Sequence, residues 1–220
     1  MSVVVAIDGP SGSGKSTVAR AVALELGLAV LDTGAMYRAI TLAALEADIA
    51  LDDGAACAAI TRARDVTLER GVTTLDGRDV SKEIRGPEVT GAVSVVSAHP
   101  EVREILVGRQ RAWVAHHGGG VVEGRDIGTV VFPDATVKVF LVASDEERAR
   151  RRHRDEVAAE RAVPVEEVKA AIDRRDAHDS GRAVSPTRAA EDAIVIDTTG
   201  LDVDTVVAEV VARARAAEVR

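Results

Sequence analysis

The stretch VVVAIDGPSGSGKST, from Val3 to Thr17, decides the fold class of this chain. It begins with β-branched and small apolar residues from Val3 to Ile7, which are typical of a strand buried on both faces of a parallel sheet. A loop with three glycines follows, and helical spacing of apolar residues then runs from Lys15 until Gly27 stops it. The order of strand, glycine-rich loop and helix indicates an α/β protein.

The loop from Gly9 to Ser16 matches the pattern G-x-x-x-x-G-K-[ST], between the strand and the helix that a phosphate-binding loop requires. Glycines let successive backbone N–H groups converge on phosphate oxygens, where the helix N-terminus adds partial positive charge. Lys15 is expected to reach the β and γ oxygens, and Ser16 to bind Mg²⁺. The predicted ATP-binding residues are Gly9, Pro10, Ser11, Gly12, Ser13, Gly14, Lys15, Ser16 and Thr17.

Composition narrows the class of protein. The chain has 220 residues, 46% of them hydrophobic, and a formal net charge of -8, which suits one α/β domain and disfavours a protein that coats nucleic acid. Cys57 is the one cysteine, so no internal disulfide can form and a reducing, intracellular location is expected. No apolar run approaches the roughly 18 residues of a membrane span. We therefore expect a cytoplasmic protein without membrane or nucleic-acid partners.

The remaining pattern predicts strands that alternate with helices around one antiparallel insertion. Further core strands are expected at 28–31, 121–122, 137–142 and 193–197. Short alternating segments at 66–68, 72–75 and 78–80, with a turn at Asp76-Gly77, predict the insertion. The predicted fold is a three-layer, doubly wound α/β domain with a five-stranded parallel core sheet.

Helix boundaries are also predicted from local residue types. Pro87 and Pro100 each fit the first turn of a helix, and the glycines at 118–120 end the second of these helices. Ser144 followed by Glu147 has the pattern of a capping box and predicts that the next helix begins there.

The helix after Ser144 carries candidate catalytic residues. Arg148, Arg151 and Arg152 stand at i, i+3 and i+4 and therefore share one helix face. Guanidinium groups that close over a transferring phosphoryl group would stabilise its charge and exclude water. A mobile arginine lid is one interpretation, and a solvated helix face held by salt bridges is the other. The predicted catalytic residues are Lys15, Arg148, Arg151 and Arg152.

A phosphate-binding loop alone does not distinguish small-molecule kinases from nucleotide-dependent switches and motors. No guanine-reading NKxD-like tetrapeptide is present, which disfavours a GTPase. A dinucleotide-binding loop is excluded, because no third glycine completes G-x-G-x-x-G. The segment VID at 195–197 could end a Walker B strand, although ordinary termination of the last strand is the simpler interpretation.

Six segments, in chain order and covering nearly the whole chain, resemble bacterial cytidylate kinases: IDGPSGSGKST, LDTGAMYR, DGRDVSKEIR, VREILVGRQRAW, EGRDIGTVVFPDA and RRDAHDSGRAVSP. The resemblance implies a P-loop nucleoside monophosphate kinase that transfers the γ-phosphoryl group of ATP to CMP or dCMP, with Mg²⁺ as cofactor. It also implies a core of about residues 1–40, 118–147 and 163–220, a small CMP-binding insertion of about 41–117 and a short helical lid of about 148–162. We also expect the protein to be a monomer.

The resemblance further implies which residues bind the acceptor. Thr33 stands where the family usually has Ser, and Arg38 and Arg125 would hold the acceptor phosphate. Arg175 and Asp179 would hold the sugar hydroxyls. The implied CMP-binding residues are Thr33, Arg38, Ser94, Arg103, Arg125, Asp126, Arg175, Asp179 and Arg182.

Cytosine recognition is assigned to Asp126, Ser94 and Arg103 by the same resemblance. Cytosine has an amine that donates hydrogen bonds and N3 and O2 atoms that accept them, so a carboxylate beside a guanidinium group complements it. A kinase for another small acceptor, such as UMP, shikimate or a sugar acid, remains the alternative within the same class. A nucleotide-dependent switch that works through a partner is the alternative from another class.

Overall fold

The computed structural model describes residues 3–161 and 163–218. Ala162, at the end of the predicted lid, and the terminal residues of the predicted core lie outside the described residues. The described chain forms two compact units. The first unit contains residues 3–28 and the chain from 121 onwards, and the second contains residues 29–120.

Eight strands and eight α-helices are assigned within the described residues. The strands are β1 (Val3–Asp8), β2 (Val30–Asp32), β3 (Val66–Glu69), β4 (Val72–Leu75), β5 (Arg78–Asp79), β6 (Gly119–Gly124), β7 (Val137–Val142) and β8 (Ile194–Asp197). The helices are α1 (Lys15–Leu26), α2 (Thr33–Glu46), α3 (Gly54–Ala63), α4 (Pro87–Val96), α5 (Pro100–His117), α6 (Asp145–Ala158), α7 (Val165–Ser180) and α8 (Val203–Glu218).

The central sheet has five strands in the order β2-β6-β1-β7-β8. Strand β1 pairs in parallel with β7, with Ile7 opposite Val139, and β7 pairs in parallel with β8. Residues 5–7 of β1 are completely buried, as their apolar run predicts. The predicted α/β fold with a five-stranded parallel sheet is confirmed. Because the first strand is central and later strands lie on both sides of it, the carboxyl ends of β1 and β6 mark a place where such folds bind ligands.

Helices cover the sheet strands of the first unit. Helix α1 packs against α8, and Val18 and Val22 of α1 are buried. Helices α6 and α7 pack against each other. Within the described residues, no helix combines the length and the apolar character that crossing a membrane requires.

The second unit contains the predicted antiparallel insertion. Strands β3, β4 and β5 form a three-stranded antiparallel sheet. Leu75 lies opposite Arg78, and the two residues between them have positive φ angles of 51° at Asp76 and 82° at Gly77. This is the backbone of a tight type I′ hairpin turn, which Asp-Gly favours. The turn predicted at these residues is therefore confirmed.

Proline and glycine mark the helix ends of the second unit as predicted. Pro87 and Pro100 each occupy the first turn of a helix, where the missing N–H costs no hydrogen bond. Gly118 ends α5 with a φ of 70°. Helix α3 was not predicted from the sequence. Its start is capped by Asp53, whose carboxylate accepts from Ala56 N at 2.9 Å, and Cys57 on this helix is buried.

The predicted capping box forms only in part. The hydroxyl of Ser144 accepts from Glu147 N at 3.3 Å, which is the expected cap of α6. The carboxylate of Glu147 instead binds Arg151 Nε at 2.7 Å, and Ser144 N donates to Thr199 Oγ1 at 2.8 Å. The second hydrogen bond of a capping box, from Ser144 N to the Glu147 carboxylate, is therefore replaced, because arginines one helical turn later compete for that carboxylate.

Candidate active site

The loop between β1 and α1 has a backbone that only glycine permits at two positions. Gly9 has a φ of 148°, and a Cβ atom there would lie 2.2 Å from the carbonyl oxygen of Leu141. Gly12 has a φ of 77°, and its Cβ would lie 2.8 Å from the carbonyl oxygen of Arg148. The glycines of the motif therefore serve close backbone packing around the loop as well as access for phosphate oxygens.

Lys15 is buried at the first turn of α1, with 8% of its surface exposed. Its Nζ atom donates to the carbonyl oxygen of Pro10 at 2.6 Å and to Ser13 Oγ at 3.4 Å. Burial and the neighbouring charge of Arg125 lower the pKa of Lys15 to about 7. A polyphosphate in this loop would favour the charged ammonium and so raise this pKa.

Ser16 and Glu123 supply oxygen ligands of the type that Mg²⁺ binds. The Ser16 hydroxyl donates to Glu123 Oε2 at 2.8 Å, and Glu123 lies at the end of β6. Proteins commonly hold Mg²⁺ through one or two side chains together with substrate phosphates. Within residues 3–161 and 163–218, no cluster of three or more His, Cys, Asp or Glu side chains is placed to hold a metal. These two residues therefore fit an ion that shares its coordination with phosphate oxygens.

Three arginines surround the buried carboxylate of Asp179 in the first unit. Arg125 Nε lies 3.2 Å from Asp179 Oδ2, Arg182 lies 2.9 Å from Oδ1, and Arg175 Nε lies 3.8 Å from Oδ2. Burial alone would raise the pKa of Asp179, but the three guanidinium groups hold it below its usual range. Burial and Arg125 lower the pKa of Arg175 to about 10. Positive charge concentrated in this way favours the binding of an anion.

Arg125 connects this cluster to the phosphate-binding loop. Its NH1 atom donates to the carbonyl oxygen of Gly9 at 2.9 Å, while Nε binds Asp179. The next residue, Asp126, is buried with 5% of its surface exposed. Asp126 begins a single π-helical turn at Ile127–Val131, in which its carbonyl oxygen accepts from Val130 N at 2.9 Å. This turn was not predicted from the sequence.

Arg148 of the predicted lid contacts the phosphate-binding loop directly. Its NH1 atom donates to the carbonyl oxygen of Ser11 at 3.0 Å and also binds Asp176, and its NH2 atom binds Asp145 at 2.7 Å. Asp176 in turn accepts from Ser11 N at 3.0 Å. In this conformation Arg148 is therefore held at the loop by two carboxylates.

The two other predicted lid arginines have separate partners. Arg151 donates from NH1 and NH2 to Thr198 Oγ1 and to the Thr198 carbonyl oxygen, each at 2.8 Å. Arg152 binds Glu156 at 2.7 Å within α6. The side chain of Arg150, on another face of this helix, is 67% exposed, whereas that of Arg148 is 8% exposed. The helix face formed by Arg148, Arg151 and Arg152 is therefore less exposed than the face that carries Arg150.

Four predicted acceptor-binding residues lie in the second unit. Thr33 and Arg38 are buried on α2, Ser94 is half-buried on α4, and Arg103 is buried on α5. Arg38 NH1 donates to Thr90 Oγ1 at 2.8 Å, which connects α2 to α4. The guanidinium carbon of Arg103 lies 5.5 Å from the ring centre of Tyr37, the neighbour of Arg38. Arg103 of α5 thus packs against α2 at the residue next to Arg38.

Sequence reasoning missed Glu123, Asp176 and Asp8 as members of this site. Glu123 ends a buried strand beside the glycine of EGRD, a position that could have been found from its strand context. Asp176 and Asp8 act through contacts with residues far away in the sequence, so local patterns give no signal for them. Asp197, considered for a Walker B role, is exposed and accepts from Thr199 N at 2.9 Å, which matches ordinary strand termination.

Known proteins with sequences similar to this chain are cytidylate kinases. The sequence model of the family described as cytidylate kinase matches residues 5–216. A cytidylate kinase of Mycobacterium avium (strain 104) is 54% identical over 90% of this chain and 89% of that protein. A bifunctional pantoate ligase/cytidylate kinase of Synechococcus sp. is 53% identical over 89% of this chain. The matched part is 37% of that longer protein.

Solved structures agree on the fold. A gluconokinase from Sinorhizobium meliloti 1021 aligns with a TM-score of 0.52 and 15% identity, over 98% of this chain and 94% of that one. This likeness concerns the fold alone. The family match and the curated relatives, which cover nearly the whole chain, show that the chain belongs to the cytidylate kinase family.

Proposed function

We propose that the chain transfers the γ-phosphoryl group of ATP to CMP or dCMP and releases ADP and CDP or dCDP. The observation that carries this proposal is the position of Arg125, which binds the phosphate-loop carbonyl of Gly9 at 2.9 Å and Asp179 at 3.2 Å. A kinase that acts on a nucleotide monophosphate must hold two sets of phosphate oxygens close together. An arginine that joins the phosphate-binding loop to an arginine cluster meets this requirement. The names of the relatives support CMP as the acceptor.

On the donor side, residues 9–17 would bind the phosphates of ATP, and Lys15 would neutralise charge on the β and γ oxygens. Lys15 must then leave the carbonyl oxygen of Pro10, which it contacts at 2.6 Å. Ser16, with Glu123 beside it, would hold Mg²⁺, which supplies charge neutralisation for the phosphate oxygens when bound. Phosphoryl transfer of this kind depends on positioning and electrostatics, so no general base is assigned.

On the acceptor side, the arginine cluster of the first unit would bind the monophosphate and the sugar. Arg125 would bind the acceptor phosphate, and Arg175 and Asp179 the sugar hydroxyls, with Arg182 as a further arginine of the site. Asp179 keeps the three guanidinium groups oriented, as its contacts of 2.9, 3.2 and 3.8 Å allow. Asp126 would accept a hydrogen bond from the cytosine amine.

Four further residues are proposed for acceptor binding. Arg38 and Thr33 would bind the acceptor phosphate, and Ser94 and Arg103 the cytosine edge. We also propose that residues 41–117 act as the CMP-binding insertion and 148–162 as the lid. Monomeric state and cytoplasmic location stay predictions.

For transfer to occur, Arg148, Arg151 and Arg152 would exchange some of their present partners for phosphate oxygens. Arg148 now binds Asp145 at 2.7 Å and Arg152 binds Glu156 at 2.7 Å. Guanidinium groups that close over the γ-phosphoryl group would stabilise its charge and exclude water. Helix α6 would thereby act as the lid that commits bound ATP to transfer and not to hydrolysis.

The proposal is tested by an acceptor panel in one coupled assay. ADP formation from ATP and Mg²⁺ is measured with CMP, dCMP, UMP, AMP and shikimate in parallel, and without acceptor. CMP and dCMP are expected to give the highest kcat/KM. A higher kcat/KM with UMP or shikimate would assign the chain another acceptor. ADP formation that is the same with and without acceptors would indicate a nucleotide-hydrolysing switch.

A further inference from the structure

Asp8, the last residue of β1, uses both oxygens of a buried carboxylate on one backbone segment. Its Oδ1 atom accepts from Ile127 N at 2.8 Å, and its Oδ2 atom accepts from Gly128 N at 2.8 Å. Only 4% of its surface is exposed. Burial raises the pKa of Asp8 to about 6, so the carboxylate is ionised at neutral pH and accepts both bonds.

The two N–H groups that Asp8 binds have no partner within their own turn. They open the π-helical turn Ile127–Val131, and the first N–H groups of any helical segment need acceptors from outside it. Asp126, which directly precedes the turn, provides its carbonyl oxygen to Val130 N at 2.9 Å and to Val131 N at 3.2 Å. The orientation of Asp126 is therefore connected to the position of this turn.

The side chains of Asp8 and Lys138 both lie beside Gly128, the second residue of the turn. A Cβ atom on Gly128 would lie 3.5 Å from Asp8 Oδ2 and 3.3 Å from the side chain of Lys138. On the other side of Asp126, Arg125 donates to the carbonyl oxygen of Gly9 at 2.9 Å. Asp8, at the end of β1, and Gly9, which follows it, thus bind the segment 125–128 on both sides of Asp126.

We infer that Asp8 is a positioning residue for acceptor recognition, which fixes Asp126 and Arg125 by binding the backbone of Ile127 and Gly128. The inference rests on the proposed function, because it assigns Asp8 to the acceptor side of that reaction. An ionised carboxylate can accept two N–H bonds at once, whereas an amide of the same shape offers one oxygen and one NH₂ group. The NH₂ group would face an N–H donor and leave it without a partner.

Asp8→Asn tests this inference through binding of the two substrates separately. At pH 7.5, calorimetry is expected to show CMP binding at least tenfold weaker, with ATP binding changed less than threefold. The CMP-to-UMP ratio of kcat/KM is expected to fall at least fivefold, because a displaced Asp126 reads the base less well. Asp53→Asn is the matched control, since Asp53 also accepts a backbone N–H, from Ala56 at 2.9 Å, at the start of α3. Because Asn caps a helix about as well as Asp, this variant is expected to leave stability and both affinities unchanged.

Unchanged CMP affinity and an unchanged CMP-to-UMP ratio in Asp8→Asn would overturn the inference. Equal losses of ATP and CMP affinity would also overturn it, because Asp8 would then be a general structural residue. If Asp8→Asn does not fold, Asp8→Glu keeps the negative charge but lengthens the side chain by one CH₂ group, so it shifts the same contact and is judged by the same measurements. Absence of CMP-dependent ADP formation in the unsubstituted protein would instead contradict the proposed function.

Discussion

Lys15 is the residue on which the proposed binding of the ATP phosphates depends most directly. We expect Lys15→Ala to lower kcat with CMP by at least about 150-fold, or roughly 3 kcal/mol, because its ammonium neutralises charge that develops on the β and γ oxygens. The melting temperature should change little, because the desolvation cost of burying this amine offsets the packing that is lost. Steady-state kinetics and thermal unfolding measure the two effects. A variant with more than a tenth of the original turnover would contradict this role.

The lowered pKa of Lys15 predicts proton uptake when a nucleotide binds. With a pKa of about 7, most of the amine is neutral at pH 8, and phosphate oxygens raise the pKa and so draw a proton from the buffer. Calorimetry of ATP binding in two buffers of different ionisation enthalpy is expected to show uptake of up to about one proton. In Lys15→Arg, which keeps the charge at all pH values, this uptake is expected to disappear. Equal uptake in both proteins would rule out Lys15 as its source.

In the proposed site, Asp126 would determine which base is accepted. UMP would place its O4 acceptor against this carboxylate, and two acceptors in a desolvated pocket repel each other. Asp126→Asn supplies an amide that can donate to O4. We expect its CMP-to-UMP ratio of kcat/KM to narrow by at least tenfold, or about 1.4 kcal/mol. An unchanged ratio would leave Asp126 as support for Arg125 alone.

Helix α6 is the element whose motion the account requires. In the ligand-free protein, trypsin is expected to cut first after Arg150, which is 67% exposed, and after the exposed Arg154. With ATP and CMP bound, closure of the lid should slow these cuts at least fivefold. Cleavage after Arg213 in α8, which is 53% exposed, is the internal control and should keep its rate. Equal lid cleavage with and without nucleotides would favour the interpretation of α6 as a solvated helix.

Elements with strong local signals were predictable from the sequence. The buried run of β1, the Asp76-Gly77 turn and the prolines at helix starts depend on backbone preferences of the residues themselves. Helix α3 was missed although Asp53 caps its start and Cys57, Ile60 and Thr61 are buried along it at helical spacing. The π-helical turn Ile127–Val131 was missed because its stability depends on Asp8, which is more than a hundred residues away in the sequence.

At the scale of the whole molecule, sheet topology determines which distant residues meet. The phosphate-binding loop follows β1 and Arg125 follows β6, and these two strands are neighbours in the sheet order. The motif predicts the loop, but the approach of Arg125 to Gly9 depends on that order. Arg125 and Asp126 were available to sequence analysis only through family resemblance. The roles of Asp8 and Glu123 required the folded chain.

Transfer of a labelled γ-phosphoryl group distinguishes a CMP kinase from a protein that only hydrolyses ATP. The protein is incubated with Mg²⁺, CMP and ATP that carries the label in its γ-phosphate, and the nucleotides are then separated. We expect the label to appear in CDP, in an amount equal to the ADP formed, and Lys15→Ala to form almost no labelled CDP. Label released as inorganic phosphate, without labelled CDP, would contradict phosphoryl transfer to CMP and show that the chain hydrolyses ATP instead.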